Sequence, residues 1–522
     1  MTGALIQLVA KGIQDIFVIN DPQITYFKIV YRRHTNFSME AIPQYFNYKP
    51  TFGKKATCTL ALGGDLVANT HLVVTLPKIK PFILDDGTVD PYSKFAWVKK
   101  IGYALINKIE LEIGGQLIDR HYGEWLNILS EIFDKKEDRG IDKLIGNIEE
   151  LTSFTSTKDT YTMYIPLQFW FCKNSSLALP ILCLHHSEVK INIELNPLEN
   201  CCLVAPTNYI VLEDDLVSFQ KYDYIEQTVG NSVASGIFID FDSITKRLYY
   251  SRITRNKFIS LPISQTNNYN INNILTNSTY KQYLIKSRTS ANFCLPKIGT
   301  VSYSYNQPAL NNIILQECHL LVNYIYLDSD ERNKFIQNKH EYLIDQLQIF
   351  SPQTITTSNA IVRVDTANPS KFIVWVAQLL YFLDTNNNDM FNYTDDYLYI
   401  KNNLNKKNIL AGSSLVDQEC IILNGGFDRL SNRSHKYFNY IQAHQYLPTS
   451  PAEGINFYSF CLLPQEFQPS GSCNMSYVGY TEISLKLSHL INNNNPALFR
   501  GYSLAQNIFR IIDGLGGLVF IK

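Results

Sequence analysis

The segment LHHSEVK holds His185, His186 and Glu188, and imidazole nitrogens beside a carboxylate oxygen are donors that can bind zinc. On an extended segment, adjacent side chains point to opposite faces, so only His186 and Glu188 share a side. Two donors are too few for a zinc centre, and a structural pair is the reading that follows. The acidic clusters DSDER and YTDDY offer oxygen ligands. The first reads as a helix N-terminus and the second as a solvated loop. DGLGGL, from Asp513 to Leu518, clusters glycines as a phosphate loop would, but no helix-forming segment follows it. A tight turn between terminal strands accounts for it. The chain has no Walker A loop, GxSxG elbow, HExxH helix or EF-hand loop. It also lacks the His-x-His of a cupin-type metal centre. No catalytic, cofactor-binding or metal-binding residue is therefore expected.

Charge narrows the partners. The 46 basic and 47 acidic residues leave a formal net charge of −1, so no global field draws the chain to DNA or to an anionic membrane. No specific nucleic-acid partner is expected, although DPQITYFKIVYRRHTNF ends an apolar stretch on Arg32, Arg33 and His34. With 45% apolar, 13% aromatic and 18% charged residues, the composition is that of a sheet-rich globular protein. The ten cysteines form no CxxC pair and sit mostly in apolar runs, which fits reduced core thiols. The start lacks a cationic region followed by an apolar block, so no secretory signal is expected. The longest nearly apolar run, Phe372 to Leu383, has 12 residues, whereas a membrane span needs ~20. A soluble protein made in a reducing compartment is the expectation. Of six Asn-x-Ser/Thr sequons, Asn277 and Asn392 lie in loop-like, Asn-rich surroundings and are the candidate glycosylation sites.

The elements around these residues follow from periodicity. SEVKINIEL, NKIELEIGG and TEISLKLSHL alternate apolar with polar residues, as strands with one face in a core and one in water do. Gly-, Pro- and Asn-rich turns separate them and favour an antiparallel sandwich. Helical spacing is confined to residues 1–22, an amphipathic arm, to an insertion near 123–150, and to a connector at 328–349. The connector begins with a capping-box pair, Asp328 and Glu331, and would pack through Phe335, Leu343 and Leu347. A weak repeat divides the chain: Gly114–Gly115 recurs as Gly425–Gly426, 311 residues on, and strand Val189 to Leu195 as Ile483 to Leu487, 294 residues on. Residues 23–327 and 350–522 thus read as two similar sandwiches. The stretch near 215–311 has no counterpart and reads as a large surface insertion, exposed and partly folded on its own.

LIQLVAKGIQDIFVINDPQITYFKIVYRRHTNFSMEAI resembles the amino-terminal signature of the major capsid proteins of nucleocytoplasmic large DNA viruses. IELEIGGQLIDRHYGEWL, YIPLQFWFCKNSSLALPILCLHHSEVKI, ILNGGFDR and NIFRIIDGLGG agree with that family in order, across both halves. The resemblance implies an all-β double jelly roll: two tandem eight-stranded antiparallel β-sandwiches with short helical insertions. It implies a structural, non-enzymatic role in a virion capsid assembled in the host cytoplasm. Homotrimers would form pseudo-hexagonal capsomers that tile an icosahedral shell. Partners would be neighbouring capsomers, minor capsid proteins and, through the arm, an internal membrane. Lys28, Arg32 and Arg33 would then act at sheet edges or between subunits, pairing with carboxylates; a solvated strand end is the other reading of either arginine. The arm either lies beneath the capsomer or packs on its own sandwich. A glycan-binding β-sandwich at a virion or cell surface is the rival from a binding class. A cupin-like or glycan-modifying sandwich is the rival from an enzyme class.

Overall fold

The computed structural model describes residues 3–520 except 85, 135–138, 214–217, 264–277, 289, 311–312, 397–411, 424–426 and 479–480. Alternation places the strands. Val189–Leu195 buries Val189, Ile191, Ile193 and Leu195 while the residues between them stay half-exposed, and Thr481–Leu487 repeats the pattern. Numbering only the jelly-roll strands in chain order, the first half supplies β1 (Phe37–Tyr45), β2 (Lys55–Thr59), β3 (Leu66–Leu76), β4 (Ile106–Ile113), β5 (Gln116–Tyr122), β6 (Tyr161–Pro166), β7 (Val189–Leu195) and β8 (Glu317–Leu327). The second supplies β9 (His340–Ile349), β10 (Asn359–Val364), β11 (Pro369–Leu379), β12 (Val416–Leu423), β13 (Phe427–Ser434), β14 (Ile455–Ser459), β15 (Thr481–Leu487) and β16 (Ala497–Ile512).

The first half forms two four-stranded sheets, ordered β1-β8-β3-β6 and β2-β7-β4-β5. The second half forms β9-β16-β11-β14 and β10-β15-β12-β13. Adding eight to each label of the first half yields the second, and all of these pairings are antiparallel. Three short strands, Gln353–Ile355, Cys473–Asn474 and Leu515–Leu518, extend the β9-β16-β11-β14 sheet. The last of them follows Asp513–Gly514, so DGLGGL is a turn into a terminal strand, with Gly514 at φ +82°. The repeated turn at Gly425–Gly426 lies outside the described residues, but the flanking strands β12 and β13 pair as β4 and β5 do.

The connector departs from expectation. The connector helix (Ser329–Gln337) stops early, and His340–Ile349 is strand β9, paired with β16 over all ten of its residues. A spacing of four keeps Leu343 and Leu347 on one face of a strand as well as of a helix, so periodicity could not separate the two. The ten-residue ladder decides. The arm is two short helices, α1 (Gly3–Val9) and α2 (Ile13–Ile19), and regular strand begins only at Phe37. His185 and His186 lie in a turn before β7 rather than on a strand; their rings sit 4.3 Å apart, tilted by 57°, against the Gly514 turn.

The insertion is a third sheet. Its seven antiparallel strands start at Asn208, upstream of the expected boundary near 215, and continue to Tyr303–Ser304. It has its own core around Ile210, Ile225, Phe238, Leu248, Tyr250 and Phe258. It joins the other loops of one end of the molecule: Tyr305 donates to Asp90 in the β3–β4 connection and Tyr222 to the Phe154 carbonyl in the β5–β6 connection. The arm emerges at the opposite end, because Phe37 pairs with Leu327 at the far end of β8. Eleven strand residues, roughly 35 Å, separate the two.

Candidate assembly interface

The two sandwiches of the chain meet at a seam. Helix α3 (Gly123–Phe133) follows β5, the first of three short helices in the 123–150 insertion. Trp125, Ile128, Leu129 and Ile132 recur at spacings of three and four and form one apolar face. That face packs on the outside of the second sandwich, against Phe372, Val374, Val376, Tyr502 and Leu504. The alternate residues of β11, Ile373, Trp375, Ala377 and Leu379, face the sandwich interior. β11 is thus covered on both sides, which explains why Phe372 to Leu383 reads as a continuous apolar run.

A polar lock sits in this apolar seam. Glu124, at the start of α3, accepts from Arg500 Nη2 and from the Tyr502 hydroxyl, both on β16. Arg500 also donates to Gln378 of β11. Burial, with the Glu124 charge adding to it, pushes the Tyr502 phenol far above its ordinary range, so it remains a donor. Nearby, Asp119 of β5 accepts from Leu347 N, and Gln346 donates to the Ile118 carbonyl. The start of α3 fixes residue choice too, against the first sandwich: a Cβ at Gly123 would run into the Tyr103 and Ile106 carbonyls. Gly123→Ala is expected to destabilise the chain by ~1–3 kcal/mol, read as a lowered melting temperature.

The outer surfaces sort the candidate residues. Lys28, Arg32 and Arg33 all lie on the exposed arm ahead of β1, and no ion pair within the described chain involves them. With them are exposed Leu8, Val9, Ile13, Phe27, Ile29, Val30 and Tyr31; Phe27 is 97% exposed. The described side chains between residues 3 and 36 are all exposed. β1 is an edge strand, exposed along most of its length. Asn392 is 5% exposed, its amide donating to Asp389 and to the Asp396 carbonyl, so the folded chain does not present it for glycosylation. Asn277 lies outside the described residues. The YTDDY cluster is not a free solvated loop, because Asp396 pairs with Arg288 of the insertion at 2.7 Å. Among the described residues no three His, Cys, Asp or Glu side chains converge on a metal position, and no helix is long and apolar enough to cross a membrane. Sequence reasoning missed Glu124, Arg500 and Tyr502, since nothing local marks residues 376 positions apart as partners.

The profile described as "Major capsid protein N-terminus" matches residues 25–238, and that of "Large eukaryotic DNA virus major capsid protein" matches 331–517. The chain is 39% identical to "Probable capsid protein 4" of Acanthamoeba polyphaga mimivirus, covering 100% of this chain and 99% of that one. It is 26% identical to the major capsid protein of Paramecium bursaria Chlorella virus 1 over the full length of both. Among solved structures, the PBCV-1 virus capsid chain superposes with a TM-score of 0.61 at 23% identity, covering 95% of this chain and 100% of that one. The Faustovirus major capsid protein superposes at 0.63 and 12% identity, covering 96% and 94%. These likenesses confirm the double jelly roll. The tandem sandwiches, their helical seam and full-length similarity to capsid proteins place this chain in the major capsid protein family of large eukaryotic DNA viruses, a structural family whose members build the virion shell.

Proposed function

We propose that three copies of this chain form a capsomer of nearly hexagonal outline, and that such capsomers tile an icosahedral shell. One observation carries the reading: the second sandwich repeats the strand order of the first, label for label. A threefold cluster then sets six equivalent sandwiches around its axis, and the Glu124–Arg500 seam holds each pair at a fixed angle. In this arrangement the insertion end faces outward and the arm end inward. The arm's apolar residues are covered by neighbouring capsomers, minor capsid proteins or an internal membrane. Lys28, Arg32 and Arg33 supply its charge-paired contacts, and assembly takes place in the host cytoplasm.

Deleting residues 1–20 separates the two levels of association. The expected outcome is a normal trimer by native mass, three times the 59.8 kDa chain, with loss of assembled shells. R32E/R33E is expected to impair association as well. Unchanged trimer yield together with normal shells in both variants would remove the arm from the account.

A further inference from the structure

The insertion sheet and the second sandwich enclose an open cleft of about 1020 Å³. Its walls come from the Tyr224–Val229 and Ser232–Asp242 hairpin, from the β11–β12 connection at Tyr381 and Asp396, and from the β15–β16 loop at His489 and Asn494. Two clamps fix its width. Arg288 lies 5.1 Å over the Tyr224 ring and pairs with Asp396 at 2.7 Å, and Arg255 donates to the Asn494 carbonyl at 2.6 Å. The cleft is a built feature that needs both halves of the chain.

Its chemistry excludes most ligand classes. Both guanidinium groups are engaged, and Glu226, Asp395 and Asp396 outnumber them, so a phosphate or carboxylate ligand meets repulsion. Apolar ligands favour predominantly hydrophobic walls, and here amide, hydroxyl and carboxylate groups share the lining about equally with apolar surface. The side chains of Glu226, Asn231, Ser232, His489 and Asn494 line it without a hydrogen bond to other described residues. Together they offer both donors and acceptors, which suits vicinal hydroxyls. Half-buried Tyr381 adds an aromatic surface whose negative face suits the C–H bonds of a pyranose. We propose that this cleft binds a neutral oligosaccharide. The size agrees, being at the upper end of the ~300–1,000 Å³ typical of small-molecule sites. The proposal is independent of the three-chain reading. Under that reading, the cleft opens on the outward end of the capsomer.

Saturation-transfer NMR on the purified full-length protein provides the test. The probes are neutral manno-, gluco-, galacto- and N-acetylglucosamine oligosaccharides at millimolar concentration, with a sialylated glycan as the charged control. At least one neutral series is expected to receive saturation and the control none. Glu226→Ala combined with Asn231→Ala is expected to weaken that binding at least tenfold while melting temperature and native mass stay at the parent values. His489→Ala, on the facing loop, is a second variant should the first fail to fold. Absence of transfer to every neutral probe, preference for the sialylated control, or undiminished binding in folded variants would overturn the proposal.

Discussion

Replacing Arg500 with alanine destabilises the docking of the two sandwiches by ~3–5 kcal/mol, the usual penalty for leaving a buried charge unpaired. Both side chains of the pair are only 14% exposed, so solvent screens little of the interaction. Without the guanidinium, Glu124 keeps the Tyr502 hydroxyl as a donor but loses its counter-charge, and the Gln378 carbonyl oxygen loses its donor. Trp125, 5.4 Å from the Tyr502 ring, reports on the same seam. Urea titration followed by tryptophan emission should therefore show a transition at clearly lower denaturant in R500A. The double variant E124M/R500M should recover most of the loss, because an apolar pair of similar volume carries no desolvation penalty. A single variant that melts with the parent would mean the lock contributes nothing.

Glu419→Gln raises stability progressively as pH climbs above about 4.5. Glu419 of β12 is 0% exposed in the second sandwich; Trp375 Nε1 donates to one oxygen, and the other has no partner among the described residues. Burial pushes its carboxyl well above the ordinary 4.5, the indole bond offsetting only part of this. A folded value above the unfolded one makes the stability contribution complete below pH 4.5 and progressively lost as pH rises toward the folded value. Glutamine keeps an acceptor for Trp375 and does not ionise. The advantage of E419Q over the parent should be small near pH 4.5 and grow by up to ~1.4 kcal/mol per pH unit above it. Paired melting curves from pH 5 to 8 measure the difference, with every other titrating group common to both proteins. A difference that is flat with pH would show that the native carboxyl is already ionised.

What the sequence disclosed depends on how each strand is covered. β7 and β15 were legible because one face meets water and the period of two survives. β11 lost that signature because α3 covers its second face. β9 was misread because its spacing serves helix and strand alike, and its pairing with β16 is remote in sequence. The tandem repeat was visible through strand order. The seam was not: Glu124 and Arg500 are ordinary surface residue types until the fold buries them together. The insertion stands out in the sequence by its lack of a counterpart, whereas its clamps to the second half, Arg288–Asp396 and Arg255–Asn494, join segments with no shared pattern.

Electron microscopy of the purified oligomer viewed along its symmetry axis tests the central claim most directly. Six lobes of near-equal size around a threefold axis, with three insertion domains at one end, are the expected result. Three lobes, a twofold particle or a dispersed monomer would contradict a shell built from paired sandwiches acting as sixfold tiles.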